Sequence, residues 1–443
     1  MGVSRVGSVV GVTTTAGATA GATAGVEVRD LRQEEATEWA RLCSRGFLET
    51  RAPTEAAGDL RWRRTEGHRR RVGVDGGRLI ASFRSYGVDL PVPGGHLPAD
   101  AISSVVVAAS HRRQGLLRRL MTEDLRAAKD RGDALAVLIA SEAPIYGRYG
   151  FGTATTACRW ELDVREARFR GDPVRDGAVV LDHVSDADLV DVAPRLFARV
   201  HATAAGEHPR DGLWWPMALG LVEDPDADAR EQRPAVVARE PGGDVVGLLR
   251  YRAGGDLSGG DRRRAAQVRV LDLLAATPAA TAALWRAAAE VDLAASVVAD
   301  HRPTTDPLPL LLADARAAVR SHDADFVWAR VLDVPAALEG RRYAATGGLV
   351  LEVVDPLGLA GGRWRLDVTA DDAGTGAAEV TATTAEPDVV VGVDVLGTVV
   401  LGQGSPAPAV AAGLVDERTP GAAARLGALL AHPSSAVLTR TWF

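Results

Sequence analysis

The chain has 443 residues, too many for one ordinary core, so two or three domains are expected. Its formal net charge of −7, with no basic stripe interleaved with aromatics, argues against a nucleic-acid protein. Two cysteines, Cys43 and Cys158, make neither a disulfide framework nor a metal spacing, and no apolar run approaches a membrane span, so a reducing cytoplasm is the expected compartment.

Residues 1–25 are low-complexity Gly, Ala, Thr and Val with one early arginine and no sustained apolar core. They read as a flexible extension rather than a signal peptide. A strand over 26–31 and an amphipathic helix near 34–46 open the first domain. Phe47-Leu48-Glu49-Thr50 follows, then a polar, arginine-rich segment around Trp62. Strands over 71–74 and 78–86 flank the turn Asp75-Gly76-Gly77, which has hairpin chemistry.

An apolar run over 101–107 leads into Arg112-Arg113-Gln114-Gly115-Leu116-Leu117. A helix follows, with Leu117, Leu120, Met121, Leu125 and Ala128 on one face, then Gly132 at its C-terminal boundary and a buried strand over 134–140. Backbone N–H groups at a helix start lack intrahelical partners, and the dipole there favours an anion. Gly115 permits close backbone approach, and the guanidinium groups of Arg112 and Arg113 suit phosphate oxygens. The plan is one for holding a pyrophosphate, although a basic helix start is also a common solvated face.

The spacing resembles the Arg/Gln-x-x-Gly-x-Gly/Ala signature of GNAT N-acetyltransferases, with Leu117 a departure at the final small position. Further matches are Val105-x-Val107, His111-Arg112-Arg113, Ser141-Glu142 and Ile145-Tyr146-Gly147-Arg148-Tyr149-Gly150-Phe151-Gly152. With Asp306-Pro307-Leu308-Pro309, Val334-Pro335-Ala336-Ala337-Leu338-Glu339 and the final Phe443, the sequence resembles the enhanced intracellular survival (Eis) acetyltransferases over nearly its whole length.

The middle of the chain repeats the first plan without its chemistry. A strand over 178–184, a helix capped by Ser185 with Leu189, Val192, Leu196, Phe197 and Val200 inward, and hairpin strands over 235–239 and 245–251 come first. A strand over 267–274 and a helix from about 279 to 291 complete the copy. Ala276-Thr277-Pro278-Ala279 stands where the first copy has its basic glycine loop, so no phosphate cradle is expected. His208, His301 and His322 have no second ligand at metal spacing and read as loop histidines. The last part reads as an α+β domain: strands over 326–332, 349–354, 363–369 and 380–384, helices over 407–414 and 422–431, and a final strand over 436–443.

The resemblance implies α/β and α+β architecture: tandem GNAT domains, the second degenerate, followed by a sterol-carrier-protein-like domain. The expected divisions are 1–25, 26–165, 166–320 and 321–443. It implies acetyl-CoA as co-substrate and no metal, with Val105, Val106, Val107, Arg112, Arg113, Gln114, Gly115, Leu116, Leu117, Arg118, Ser141 and Glu142 holding it. By the same resemblance Tyr146 is the general acid, with Tyr149 its local competitor, and the carboxylate of Phe443 is the general base. Phe47, Glu49 and Trp62 look like the acceptor pocket, although Phe47 and Trp62 could be packing and Glu49 a solvated carboxylate. Trp442 stands where acidic residues occur in members that acetylate aminoglycosides. The implied acceptor is a primary amine of a bulky cation (aminoglycoside-like, polyamine or lysine), and the implied assembly is a homohexamer. A non-catalytic acyl-CoA sensor or lipid-binding scaffold is the alternative.

Overall fold

A computed structural model of the chain describes residues 25–226, 233–255, 266–370, 375–431 and 440–443. Its first elements are β1 (Glu27–Asp30), α1 (Ala36–Gly46), α2 (Glu55–Arg64), β2 (Arg69–Asp75), β3 (Arg78–Val92), β4 (Gly95–Val107), α3 (Leu116–Asp130), β5 (Leu135–Ile139), α4 (Ala143–Tyr146) and β6 (Gly152–Thr153). Helix α2 occupies the arginine-rich stretch, where the sequence shows no apolar period. Its start is capped by the Thr54 hydroxyl, which accepts from the Ala57 N–H at 3.3 Å. Strand β4 begins at Gly95, earlier than the apolar run suggests, because it pairs with β3 along its whole length from Val92↔Gly95. Helix α3 buries Leu116, Leu120, Met121, Leu125 and Ala128 against this sheet. Each large apolar side chain so buried contributes about 1.5–3 kcal/mol.

The second run is β7 (Thr156–Asp163), β8 (Val180–Val184), α5 (Asp186–His201), α6 (Trp214–Ala218), β9 (Ala235–Arg239), β10 (Val245–Gly254), β11 (Ala266–Ala275), α7 (Pro278–Ala289), β12 (Ala294–Arg302), α8 (Leu308–Leu311) and β13 (Ala318–Asp325). From β8 to β12 it repeats the β-α-β-β-β-α-β succession of the first. The chain continues through β14 (Val327–Val331), α9 (Val334–Glu339), β15 (Gly347–Val354), β16 (Gly362–Thr369), β17 (Ala377–Ala382), β18 (Val389–Gly392), α10 (Val393–Val399), α11 (Ala407–Ala411), β19 (Val415–Glu417) and α12 (Ala422–Leu430).

Three mixed sheets result, ordered β1-β2-β3-β4-β5-β14-β6, β13-β7-β12-β11-β10-β9-β8 and β17-β16-β15-β18-β19. Two strands cross between the sequence repeats. β7 joins the second sheet, and β14, expected in the last part, pairs antiparallel with β5 in the first. Val327, Ala329, Arg330 and Val331 are all buried, as a central strand requires. Of the expected last strand, 436–439 lie outside the described residues, and 440–443 form no strand. Among the described residues no helix is long and apolar enough to cross a membrane.

The third sheet's helix α10 seals the end of the first. A Cβ on Gly152 would strike the carbonyl of Asp394, and one on Gly397 would strike that of Ala329, so both glycines permit close contact. Beside them lies a buried ion pair, Arg330 Nη2 to Asp355 Oδ2 at 2.8 Å, both side chains fully inaccessible. Arg330 also donates to the carbonyl of Tyr149, and Asp355 accepts from the N–H groups of Leu357, Leu359 and Ala360. The pair thus ties the third part to the turn after α4. Removing one partner strands the other charge in the core. Asp355→Ala is expected to cost about 3–5 kcal/mol in urea unfolding. A loss below 1 kcal/mol would show that the pair does not join these parts.

Candidate functional site

The end of β4 is where the first sheet opens. β4 pairs in parallel with β5 only from Ala99↔Leu135 to Ile102↔Leu138. On its other edge the register with β3 slips between Ser82 and Arg84, and Ser104 takes a left-handed φ of 51°. A non-glycine residue there is strained by roughly 1–3 kcal/mol, and bulges re-aim strands beside active sites. From Ser103 to Val107 the edge that faced β5 has no strand partner, so backbone polar groups there are available to a ligand. Val105, Val106 and Val107 all lie on this stretch, with Val106 buried.

The chain then reaches the N-terminus of α3. No side chain caps that end, and Gly115 holds a φ of 82° with nothing within 4 Å of a Cβ built on it. The conformation demands glycine there, and the open space is room for an anion above the free N–H groups. Arg112, Arg113 and Arg118 are exposed around it; Arg112 Nε reaches the Val107 carbonyl at 3.4 Å. Arg113 makes no hydrogen bond or ion pair with the described residues. Gln114 is tied back to the Ser110 carbonyl at 3.3 Å, and Leu116 is core. Leu117 is half-buried, packed beside the same core. These residues fit a pyrophosphate.

The matching end of α7 differs in kind. There the Thr277 hydroxyl accepts from the Ala280 N–H at 3.2 Å and Pro278 fills the first turn. Of the donors an anion would need, that of Ala280 is already used and that of residue 278 is missing.

Phe443 comes back into the wedge beside β4. The Ser103 hydroxyl donates to the Phe443 backbone oxygen at 3.0 Å. The Phe443 ring stacks on His208, centroids 4.1 Å apart and planes 15° from parallel. His208 Nδ1–H donates to the Pro209 carbonyl at 2.7 Å, which leaves Nε2 to accept from the Tyr86 hydroxyl at 2.9 Å. Tyr86 in turn stacks on His68 at 3.8 Å, and His68 Nδ1 accepts from Arg84 at 2.9 Å. Burial pushes both His208 and His68 down to about 3, so both are neutral at physiological pH. His208 sits in a loop, as its sequence context suggests, but in a buried one, beneath the Phe443 ring.

Tyr146 sits one turn beyond β5, buried against the α3 side of the sheet with Phe151 edge-on at 6.3 Å. Burial raises its phenol above the usual 10, opposed by a hydrogen bond with Ser141, and Glu142 raises it further. Tyr149 is also buried and raised, but its surroundings are the charges of Arg118 and Arg148.

The candidate acceptor residues are dispersed in character. Phe47 is 43 % exposed, Glu49 is exposed, and their loop is pinned by the Ser44 hydroxyl on the Arg51 carbonyl at 3.0 Å. Trp62 carries the Arg70 guanidinium 3.5 Å above its ring and packs on the Leu31–Trp39 cluster, so one face is already covered. Trp442 leans on Phe326 and His301 at 5.8 and 6.0 Å. Arg61 and Arg64, either side of Trp62 on α2, and Arg84 on β3 make no ion pair with the described residues. Burial lowers Arg64 and Arg84 from their ordinary value. Sequence reading missed this basic wall, as well as His68, Tyr86 and His208, because each partner is distant in sequence. Among the described residues no group of His, Cys, Asp or Glu is placed to hold a metal ion.

Comparison with known proteins gives two acetyltransferase domains followed by a sterol-carrier-like one. Residues 27–154 and 206–331 each match the acetyltransferase (GNAT) domain, and 334–438 match the sterol carrier protein domain. An uncharacterised N-acetyltransferase of Streptomyces griseus is 40% identical over 404 residues, 90% of this chain and 95% of that protein. The N-acetyltransferase Eis of Mycobacterium tuberculosis is 35% identical over 340 residues, 75% of this chain and 78% of that one. The crystal structure of Eis1 from Mycobacterium abscessus superposes with a TM-score of 0.77 at 29% identity, covering 94% of this chain and all of that one.

One free helix N-terminus and one self-capped one predict a single coenzyme A site per chain. Calorimetric titration of coenzyme A is expected to give one site, lost in Gly115→Val with the melting curve retained, and unaffected by Thr277→Gly. Two equivalent sites, or undiminished binding in Gly115→Val, would contradict the assignment.

Proposed function

Because this chain belongs to the Eis family of GNAT N-acetyltransferases, we propose that it transfers the acetyl group of acetyl-CoA directly to a primary amine, with Phe443 as base and Tyr146 as acid. The observation that carries this reading is the Ser103 hydroxyl on the Phe443 backbone oxygen, inside the wedge between β4 and β5.

Acetyl-CoA supplies the acetyl group as an activated thioester. The α3 N-terminus with Arg112, Arg113 and Arg118 binds its pyrophosphate, Gln114, Leu116 and Leu117 shape the loop, and the free edge of Val105–Val107 lines its arm. Ser141 and Glu142 border the far side, beside Tyr146. An α-carboxylate has an ordinary pKa of about 3.5, so Phe443 is ionised at neutral pH and takes up the proton released by the acceptor amine. Tyr146 keeps its proton well past neutrality, since burial raises it. Its hydroxyl is the donor to the departing sulfur. Even an unperturbed phenol near 10 giving its proton to a thiolate near 8.5 runs uphill by about 2 kcal/mol, and the raised Tyr146 by more, so transfer is coupled to departure of the sulfur.

Phe47, Glu49 and the open side of Trp62 receive the acceptor, with Trp442 at its far end. The resemblance implies polycations, but Arg61, Arg64 and Arg84, which make no ion pair with the described residues, repel dense positive charge. We therefore infer a preference for a single amine set among neutral or anionic groups, such as a lysine side chain or amino compound, over aminoglycosides and polyamines. Following the family, the assembly is proposed to be a cytoplasmic homohexamer.

Thiol release with one responsive amine tests the reading. Tyr146→Phe is expected to lower kcat by a factor on the order of 10² or more with acetyl-CoA binding kept, and Tyr149→Phe much less. A C-terminal tag is expected to lower kcat by a factor on the order of 10² or more while leaving a measurable residual rate, and Phe443→Leu, which keeps the carboxylate, to be milder than the tag. Full activity in the tagged enzyme would leave the base to a side chain, Glu49 first. No thiol release with any amine, while acetyl-CoA still binds, would favour a non-catalytic acyl-CoA sensor.

A further inference from the structure

The second GNAT-like unit has no phosphate site, yet its segment Gly206-Glu207-His208-Pro209-Arg210 is buried at the boundary with the first. Gly206 N–H donates to the Pro91 carbonyl of β3 at 2.8 Å, which fixes the segment to the first sheet. Glu207 is fully buried and holds the last residues with both oxygens. Oε2 accepts from the Arg440 backbone N–H at 2.8 Å, and Oε1 from the Thr441 hydroxyl at 2.5 Å. Arg210 Nε donates to the same Thr441 oxygen at 3.0 Å.

Arg210 is itself immobilised. It forms a buried ion pair with Asp272 of β11, and its guanidinium lies 4.0 Å over Trp214 and 4.5 Å over Phe197. Arg440 donates to the Leu273 carbonyl of the same strand. His208 then carries the Phe443 ring, while its own tautomer is fixed by Pro209 and Tyr86. A chain terminus left to itself frays. Here residues 440, 441 and 443 each meet a buried partner from one five-residue segment.

We propose that 206–210 is a clamp that fixes the final residues against the first sheet, with Glu207 and His208 as positioning residues for the Phe443 carboxylate. This explains why a copy that has lost its cofactor loop is retained: it holds the base of the other copy. Glu207 supplies paired acceptors for two groups that precede Phe443, and His208 sets the ring's plane so that the carboxylate lies at Ser103. Neither touches the acceptor. The inference rests on Phe443 as the base, and its test separates the two.

The full-length enzyme is treated with a carboxypeptidase that releases C-terminal aromatic residues, and free phenylalanine is followed in time beside kcat and the KM for acetyl-CoA. In Glu207→Ala and His208→Ala, phenylalanine release is expected to rise at least about tenfold, with kcat falling by a similar factor and KM unchanged. His208→Phe, which keeps a flat ring for stacking, is expected to stay close to the parent in both. In a C-terminally tagged background, Glu207→Ala is expected to cost no further activity, since the two changes act through one group. Glu207→Gln serves if the alanine variant does not fold. Release that is unchanged in the folded Glu207 and His208→Ala variants overturns the clamp. Faster release with undiminished kcat overturns the positioning role, whereas full activity in the tagged parent, with no clamp variant present, removes Phe443 as the base. A further loss in the tagged background, added in full, means that Glu207 acts on the enzyme by another route.

Discussion

Strand β4 loses β5 after Ile102, at a point where Ser104 already bends it, and the proposed chemistry depends on the wedge this creates. In a continuous sheet the groups of Ser103 to Val107 would be consumed by the ladder. Parted, they face a gap with the α3 N-terminus at one end and Phe443 at the other. The gap is kept open from both sides. β5 is pulled toward β14, a strand supplied from far along the chain, and β4 is pulled toward β3 by a register that runs to Val107. The strain at Ser104 is offset by the long ladder on either side of it.

The two GNAT-like units divide the work by one local difference at a helix start. At α3 the N-terminal donors are left free and a left-handed glycine keeps the backbone accessible. At α7 a threonine hydroxyl closes one of the same donors and a proline removes another. The second unit instead contributes buried polar groups that grip residues 440, 441 and 443. The third part anchors the turn after α4 through Arg330 and Asp355, so the segment bearing Tyr146 is held from outside its own sheet.

Much of this was legible in the sequence, and the pattern of what was not is physical. The loop at Arg112–Gly115, the helix face Leu120–Leu125 and the hairpins announce themselves because they obey local rules of period, cap and turn. The loss of the cradle at Thr277–Pro278 was also local, and the family resemblance covered the rest of the architecture. Helix α2 was hidden because its arginines give no apolar period. The placement of β14 in the first sheet could not be read, since an apolar strand carries no address. In the column from His68 through Tyr86 and His208 to Phe443, the last two steps join residues more than a hundred positions apart, and no local signal marks a histidine as a ring support. Glu207 and Arg210 looked like an ordinary loop for the same reason.

The proposed acetyl transfer rests on a charge at one position. Preparing the enzyme by ligation with Phe443 as its α-carboxamide changes that group with no change in length, ring or stacking. The amide form is predicted to bind coenzyme A and melt as the parent does, but to lose kcat by a factor on the order of 10² or more. An amide enzyme that turns over acetyl-CoA at the parent rate would contradict the claim.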